Sequence, residues 1–131
     1  MTVLLDTNVV LWLVMAPERL SEQVRELLRA GATPVLFSAA SAWEMSIKWS
    51  LGKLELPAPP RELMPSMGRV FNLTALPISH AHATAVAGLP DHHRDPFDRM
   101  LIAQAQIERV PIVTADAMIG KYDVEVISAT T

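Results

Sequence analysis

Four acidic residues far apart in the chain, Asp6, Glu44, Asp98 and Asp116, each stand beside an apolar run. Carboxylates so placed are either caps and surface charges or members of one cluster. Asp6 closes the apolar run "VLL" within "LLDTN", where a capped turn into the next helix accounts for it as well as chemistry does. On a helix, Glu44 shares a face with Ala40, Ile47 and Leu51, which plants a carboxylate on or beside an apolar stripe. The alternative is an exposed Glu44–Lys48 pair one helical turn apart, an arrangement of little energetic weight. In "DPFD", Asp95 has the position of an N-cap and Pro96 that of the first helical residue, so structure alone accounts for Asp95. Asp98 is either a first-turn acid favoured by the helix dipole or a group turned inward, since Leu101, Ile102 and Ala105 follow it on a core-facing side. Asp116 follows "PIVTA", with Thr114 two residues before it, and a cap for the short helix "AMIGKY" is its other reading. If all four acids converge, their repulsion makes an empty cluster unfavourable, and a hard divalent cation with oxygen ligands is the obvious relief. Mg²⁺ or Mn²⁺ is implied, and metal-assisted hydrolysis of a phosphodiester by an activated water is the chemistry that fits best.

The elements that must position these groups alternate. Short apolar runs at "VLL", "PVLF", "LTALPIS", "VPIVTAD" and "DVEVIS" suit strands. Between them lie helical segments: "NVVLWLVM", "EQVRELLRA" capped by Ser21 and stopping at Gly31, and "AASAWEMSIKWSL" capped by Ser38 and ending at Gly52. A proline-rich connector leads into a short helix around 61–67, "HAHATAVAGL" forms another, and the helix opened by Asp95 follows the polar loop "DHHRDP". Strand–helix alternation without a hairpin signal predicts an α/β fold, three layers (α/β/α) around a mostly parallel sheet. In such sheets functional groups gather outside the carboxyl ends of the strands, where Asp6 and Asp116 lie.

At 131 residues, half of them hydrophobic, the chain suits one domain spanning residues 1–131. It has no cysteine, which excludes a disulfide framework, a thiolate nucleophile and a Cys-ligated zinc, and which suits a reducing, cytoplasmic setting. The apolar start carries Asp6, lacks a basic leader and is too short to span a bilayer, so no membrane association is expected. A net charge of −3 argues at first against a nucleic-acid partner, but setting the four acids aside leaves the rest of the chain slightly basic.

With these residues in view, the sequence resembles the PIN-domain ribonucleases, specifically the VapC-type toxins of bacterial toxin–antitoxin pairs. The stretches "LLDTNVVLWLV", "SAASAWEMSIKWSLGKLEL", "LPISHAHATAVAGLPDHHRDPFDRMLIAQA" and "PIVTAD" carry the resemblance in the family's order and spacing, over nearly the whole chain. The resemblance implies a PIN-like fold, with Asp6, Glu44, Asp98 and Asp116 as the acidic metal-site residues. Thr7, Asn8 and Thr114 would orient carboxylates or water; Asn8 departs from the His of many close relatives. The resemblance further implies endonucleolytic cleavage of RNA, a homodimer, and a VapB-type antitoxin whose basic residue inserts among the acids.

Lys48, Lys53, Arg94 and Arg99 are expected to meet RNA phosphates, with Arg94 and Arg99 foremost; the alternative is that they are solvated surface charges. A histidine-bound metal is not expected, because His80 and His82 diverge on a helix while His92 and His93 are neighbours in a loop. Trp12 is assigned to the core, and Trp43 and Trp49 to core or dimer contacts. Two other functions compete. An aspartyl-phosphate hydrolase of the haloacid dehalogenase type needs a second Asp where Asn8 stands. A non-catalytic module binding RNA or protein on the same fold would not need all four acids.

Overall fold

The computed structural model describes residues 1–29, 31 and 33–131. Strands and helices alternate through them: β1 (Val3–Leu5), α1 (Thr7–Met15), α2 (Glu22–Arg29), β2 (Val35–Ser38), α3 (Ala39–Ser50), α4 (Pro60–Val70), β3 (Leu73–Leu76), α5 (His80–Ala85), α6 (Pro96–Glu108), β4 (Ile112–Thr114) and β5 (Val126–Ser128). The strands form one sheet in the order β3-β2-β1-β4-β5, and every pairing is parallel. From central β1 the chain winds outward to β3, then returns across the sheet to β4. That reversal puts a topological switch point between β1 and β4, the place in open parallel sheets outside whose strand carboxyl ends ligands bind.

Alternation of side chains along β1 builds two cores, one on each face of the sheet. Val3 and Leu5 pack with Val9 and Val10 of α1, Val24 of α2, Met45 of α3 and Met67 of α4. Leu4 joins Leu101, Ile102 and Ala105 of α6 and Ile112 of β4 on the other face. The three layers expected from the alternation are those observed, and the sheet is parallel throughout.

Local signals start the helices where the sequence places them. Ser21 accepts the Val24 amide at 3.1 Å and Ser38 accepts that of Ala40 at 3.0 Å. Asp95 accepts the amides of Phe97 and Asp98 at 2.8 and 3.2 Å, with Pro96 supplying the first helical residue. The expected continuation of α2 through Ala30 lies outside the described residues. The helix expected at 61–67 runs from Pro60 to Val70, because Leu63 and Met67 are buried and the left-handed turn comes at Asn72, φ 53°, rather than at Gly68. "HAHATAVAGL" is helical only to Ala85 and then tightens into a 3₁₀ turn through Gly88.

A buried polar link holds the two site-bearing helices in place. Ser38 caps α3 and donates its hydroxyl to Gln104 Oε1 of α6, while Gln104 Nε2 donates to the Pro77 carbonyl beyond β3. Gln104 is fully buried, so each of these bonds replaces water that cannot reach it.

Candidate active site

Asp6 follows β1 directly and is 4% exposed. Its carboxylate accepts the Thr114 hydroxyl at 2.7 Å, which ties the ends of β1 and β4 together across the switch point. Thr114 also accepts the Asp116 amide at 3.0 Å, so one hydroxyl fixes the first and last of the four acids. Burial pushes the Asp6 carboxyl up, and the charges of Glu44 and Asp116 push it the same way; the hydrogen bonds from Thr114 and the Thr7 backbone only offset this.

Glu44 projects from α3 and is 5% exposed. The two alternatives posed for it both hold: Lys48 Nζ donates to Glu44 Oε2 at 2.7 Å, yet Glu44 Oε1 is buried without a hydrogen-bond partner among the described residues. A buried carboxylate oxygen left alone is costly unless something electropositive completes it. The buried face of α3 is Ala40, Ser41, Glu44 and Met45, not the stripe through Leu51 expected from spacing. Leu51 follows the last helical residue and is 62% exposed.

Asp98, in the first turn of α6, is the most perturbed acid. Its carboxyl is pushed up to about 7, chiefly by burial, then by the charges of Asp6 and Asp95; His93 opposes the shift and Glu44 adds to it. The four acids thus act on one another, Asp6 feeling Glu44 and Asp116, and Asp98 feeling Asp6 and Glu44. Asp116 also caps the turn after it, accepting the Met118 amide at 2.9 Å, so its capping and cluster roles coexist. Asp95 remains the helix cap, as the sequence indicates.

The supporting residues divide. Thr114 orients Asp6, while the Thr7 hydroxyl donates to Ser41 at 2.9 Å and so joins α1 to α3 rather than touching a carboxylate. Asn8 is exposed. Lys48 borders the acids through Glu44, and Lys53 and Arg94 are exposed. Arg99 does not present a free charge. Its guanidinium donates to the carbonyls of Pro90, His93, Val86 and Leu89 and to the Tyr122 oxygen, clamping the loop before α6. Trp43 and Trp49 are 59% and 41% exposed, which removes the core alternative and leaves that of a dimer contact, with Trp43 edge-on to Phe97 at 5.1 Å. Trp12 packs against the core as expected, under Arg19 at 4.4 Å.

Sequence reasoning missed His93. Its Nε2 lies 2.9 Å from Asp98 Oδ2 and 3.0 Å from Asp116 Oδ2. These three residues offer ligand atoms within 4.8 Å of one another. The adjacent histidines were set aside for lack of a helical ligand spacing, but a loop does not need one; proximity of His93 to the cap Asp95 was the available signal. His82, by contrast, closes a capping box with Ser79 and meets Glu108 at 3.0 Å, away from the acids.

The residues fit a divalent cation. An orphaned carboxylate oxygen on Glu44, an Asp98 carboxyl held near neutrality and two acids within ligand reach of each other are what a cluster built around a positive charge leaves when that charge is omitted.

An acidic cluster at the switch point of an open parallel α/β sheet is a class of site that many chemistries share. The particular family follows from comparison: the PIN domain model matches residues 3–125, and the chain belongs to that family. It is 37% identical over 60 residues to "Ribonuclease VapC16" of Mycobacterium tuberculosis (strain ATCC 25618 / H37Rv), a match spanning 46% of this chain and only 43% of that relative. In three dimensions it resembles VapBC2 from Rickettsia felis bound to a DNA fragment from their promoter, with 15% identity, 97% of this chain and 98% of that chain covered, and a TM-score of 0.70. A toxin–antitoxin complex from Klebsiella pneumoniae gives 17% identity, 96% of both chains covered and a TM-score of 0.64. Among the described residues, no helix is long and apolar enough to cross a membrane.

Proposed function

We propose that this PIN domain, residues 1–131 acting as one catalytic unit, is a Mg²⁺- or Mn²⁺-dependent endoribonuclease and the VapC-type toxin of a cytoplasmic toxin–antitoxin pair. The observation that carries the reading is geometric: Thr114 bonds to Asp6 and to the Asp116 amide just beyond β1 and β4, His93 Nε2 lies within 3.0 Å of both Asp98 and Asp116, and Glu44 of α3 keeps a buried carboxylate oxygen unpaired. The ribonuclease name of the M. tuberculosis relative and the toxin–antitoxin complex among the structural neighbours support it.

Asp6, Asp98 and Asp116, with Glu44 across from them, would hold the ion. When bound there, a divalent cation neutralises charge on a phosphoryl oxygen and makes a water acidic enough to attack phosphorus. The protein's own residues prepare that site. Thr114 fixes the Asp6 carboxylate against rotation, and Ser38 and Gln104 set α3 and α6 at the spacing that brings Glu44 toward Asp98. With its carboxyl pushed up by burial and neighbouring charge, Asp98 would give up a proton in holding a cation. Arg94 and Lys53 are exposed cations for RNA phosphates, and Lys48, paired with Glu44, would be a third beside the acids. Arg99 is left out of this role because its donors are engaged by the loop. A homodimer and a cognate VapB-type antitoxin complete the proposal, the antitoxin placing a basic side chain among the acids; inhibition that survives removal of every basic residue of its tail would refute that point.

The test is cleavage of a mixed RNA pool with added Mg²⁺ or Mn²⁺, comparing wild type with Asp98→Asn and Asp95→Asn. Wild type and Asp95→Asn cut, since Asn is also a good N-cap, and Asp98→Asn does not. Equal cutting by all three would remove Asp98 from the reaction. No metal-dependent cutting by clean wild-type protein would favour a binding module on the same fold.

A further inference from the structure

His93 is placed where the proposed cation is needed, and its hydrogen bonds say how. The Asp95 amide lies 3.2 Å from His93 Nδ1, and an amide can only donate. Nδ1 therefore accepts, and the ring proton sits on Nε2. That single N–H faces Asp98 Oδ2 at 2.9 Å and Asp116 Oδ2 at 3.0 Å. It stands between two carboxylates that would be among the residues holding the ion, and it does so as a donor. An Nε2 that carries a proton has no lone pair to offer a metal.

The ring is also held there from behind. The His93 amide donates to the Tyr122 oxygen at 2.7 Å and the His92 amide does so at 3.1 Å, while Arg99 donates to the His93 carbonyl at 3.3 Å. Tyr122 is 5% exposed and belongs to the second core. The backbone of the loop is thus anchored to the fold, so an outward turn of the imidazole breaks only the ring's own bonds, to the Asp95 amide and the two carboxylates.

Resting on the ribonuclease reading above, we infer that His93 is an internal occupant of the metal site, an imidazole N–H that pairs Asp98 with Asp116 in the metal-free protein and swings out when a cation binds. It lowers the repulsion between the acids without an ion and competes with the ion for the same two oxygens. The cation then binds more weakly than the acids alone would allow.

Direct binding of Mn²⁺, followed through the electron paramagnetic resonance of the free ion, tests this in wild type, His93→Ala and Asp98→Asn. His93→Ala binds Mn²⁺ tighter, by roughly three- to ten-fold, the equivalent of one ordinary hydrogen bond removed from the competing state. Asp98→Asn binds it much more weakly. Unchanged affinity in His93→Ala would overturn the inference, and weakened affinity would make His93 a ligand instead; in either case Mn²⁺ binding by wild type leaves the metal-site reading standing. Absence of binding by wild type would overturn both. The ring ¹⁵N spectrum of wild type gives a second reading that does not depend on a variant folding. Added Mg²⁺ abolishes the hydrogen-bonded Nε2–H signal of His93, and its persistence at saturating Mg²⁺ would overturn the inference.

Discussion

Asp98→Asn is expected to stabilise the metal-free protein while abolishing its activity. The folded carboxyl sits at about 7 against an ordinary 3.8, because burial and the Asp6 and Asp95 charges disfavour its ionised form. The folded state therefore keeps a proton that the unfolded chain loses between the two values, and stability falls as pH rises from about 4 to about 7. Converting the whole displacement gives a ceiling of roughly 4 kcal/mol. The side chain is 16% exposed, so screening by solvent brings the expected effect to about 1–2 kcal/mol. Asparagine is nearly the same size, retains an oxygen for the His93 Nε2–H and has no charge to desolvate. In EDTA at about pH 8 the variant should melt roughly 4–8 °C above wild type, and the two curves should converge near pH 4. Saturating Mn²⁺ should reverse the order, since only wild type gains binding energy. A variant no more stable than wild type at pH 8, or equally stabilised at both pH values, would refute the electrostatic argument.

Other substitutions probe the parts that hold the site. Ser38→Ala removes the α3 cap and leaves Gln104 Oε1 buried without its donor; denaturant titration should show a loss of about 2–3 kcal/mol. Arg99→Lys cannot bridge the loop carbonyls with one ammonium, so hydrogen exchange at the His92 and His93 amides should accelerate while that at the Ile102 amide does not. Arg94→Ala should weaken RNA binding and lower its salt dependence without altering Mn²⁺ affinity; an unchanged salt slope would separate Arg94 from the phosphate path. Thr114→Val should leave Asp6 without its hydroxyl donor, reducing cleavage by roughly 10–100-fold while the protein stays folded.

The acids were legible because the sequence places them by rules that do not depend on tertiary detail. A strand that ends in Asp, as β1 does at Asp6, delivers that side chain to the sheet's carboxyl edge, and a Pro one residue after Asp95 fixes the start of α6 and so the turn on which Asp98 lies. His93 follows no such rule. Its position depends on Tyr122, 29 residues away, and on the Arg99 clamp, whose charge alone points to a nucleic-acid contact while its carbonyl partners engage it within the fold. The exposed Trp43 and Trp49 show the same limit, because apolar type does not say which surface a helix leaves bare.

Helix α3 shows where that limit comes from. Spacing identifies Ala40, Glu44, Ile47 and Leu51 as neighbours on one side, but a helix can be rotated about its axis without changing its spacing. The rotation here is fixed by Met45 and Ala40 in the two cores together with two polar anchors: Ser38 bonded to Gln104 of α6 at the start, and Ser41 receiving the Thr7 hydroxyl of α1 in the first turn. Together these turn Ser41 and Met45 inward beside Ala40 and Glu44. That rotation buries the Glu44 carboxylate with one oxygen left unpaired, which spacing alone does not reveal.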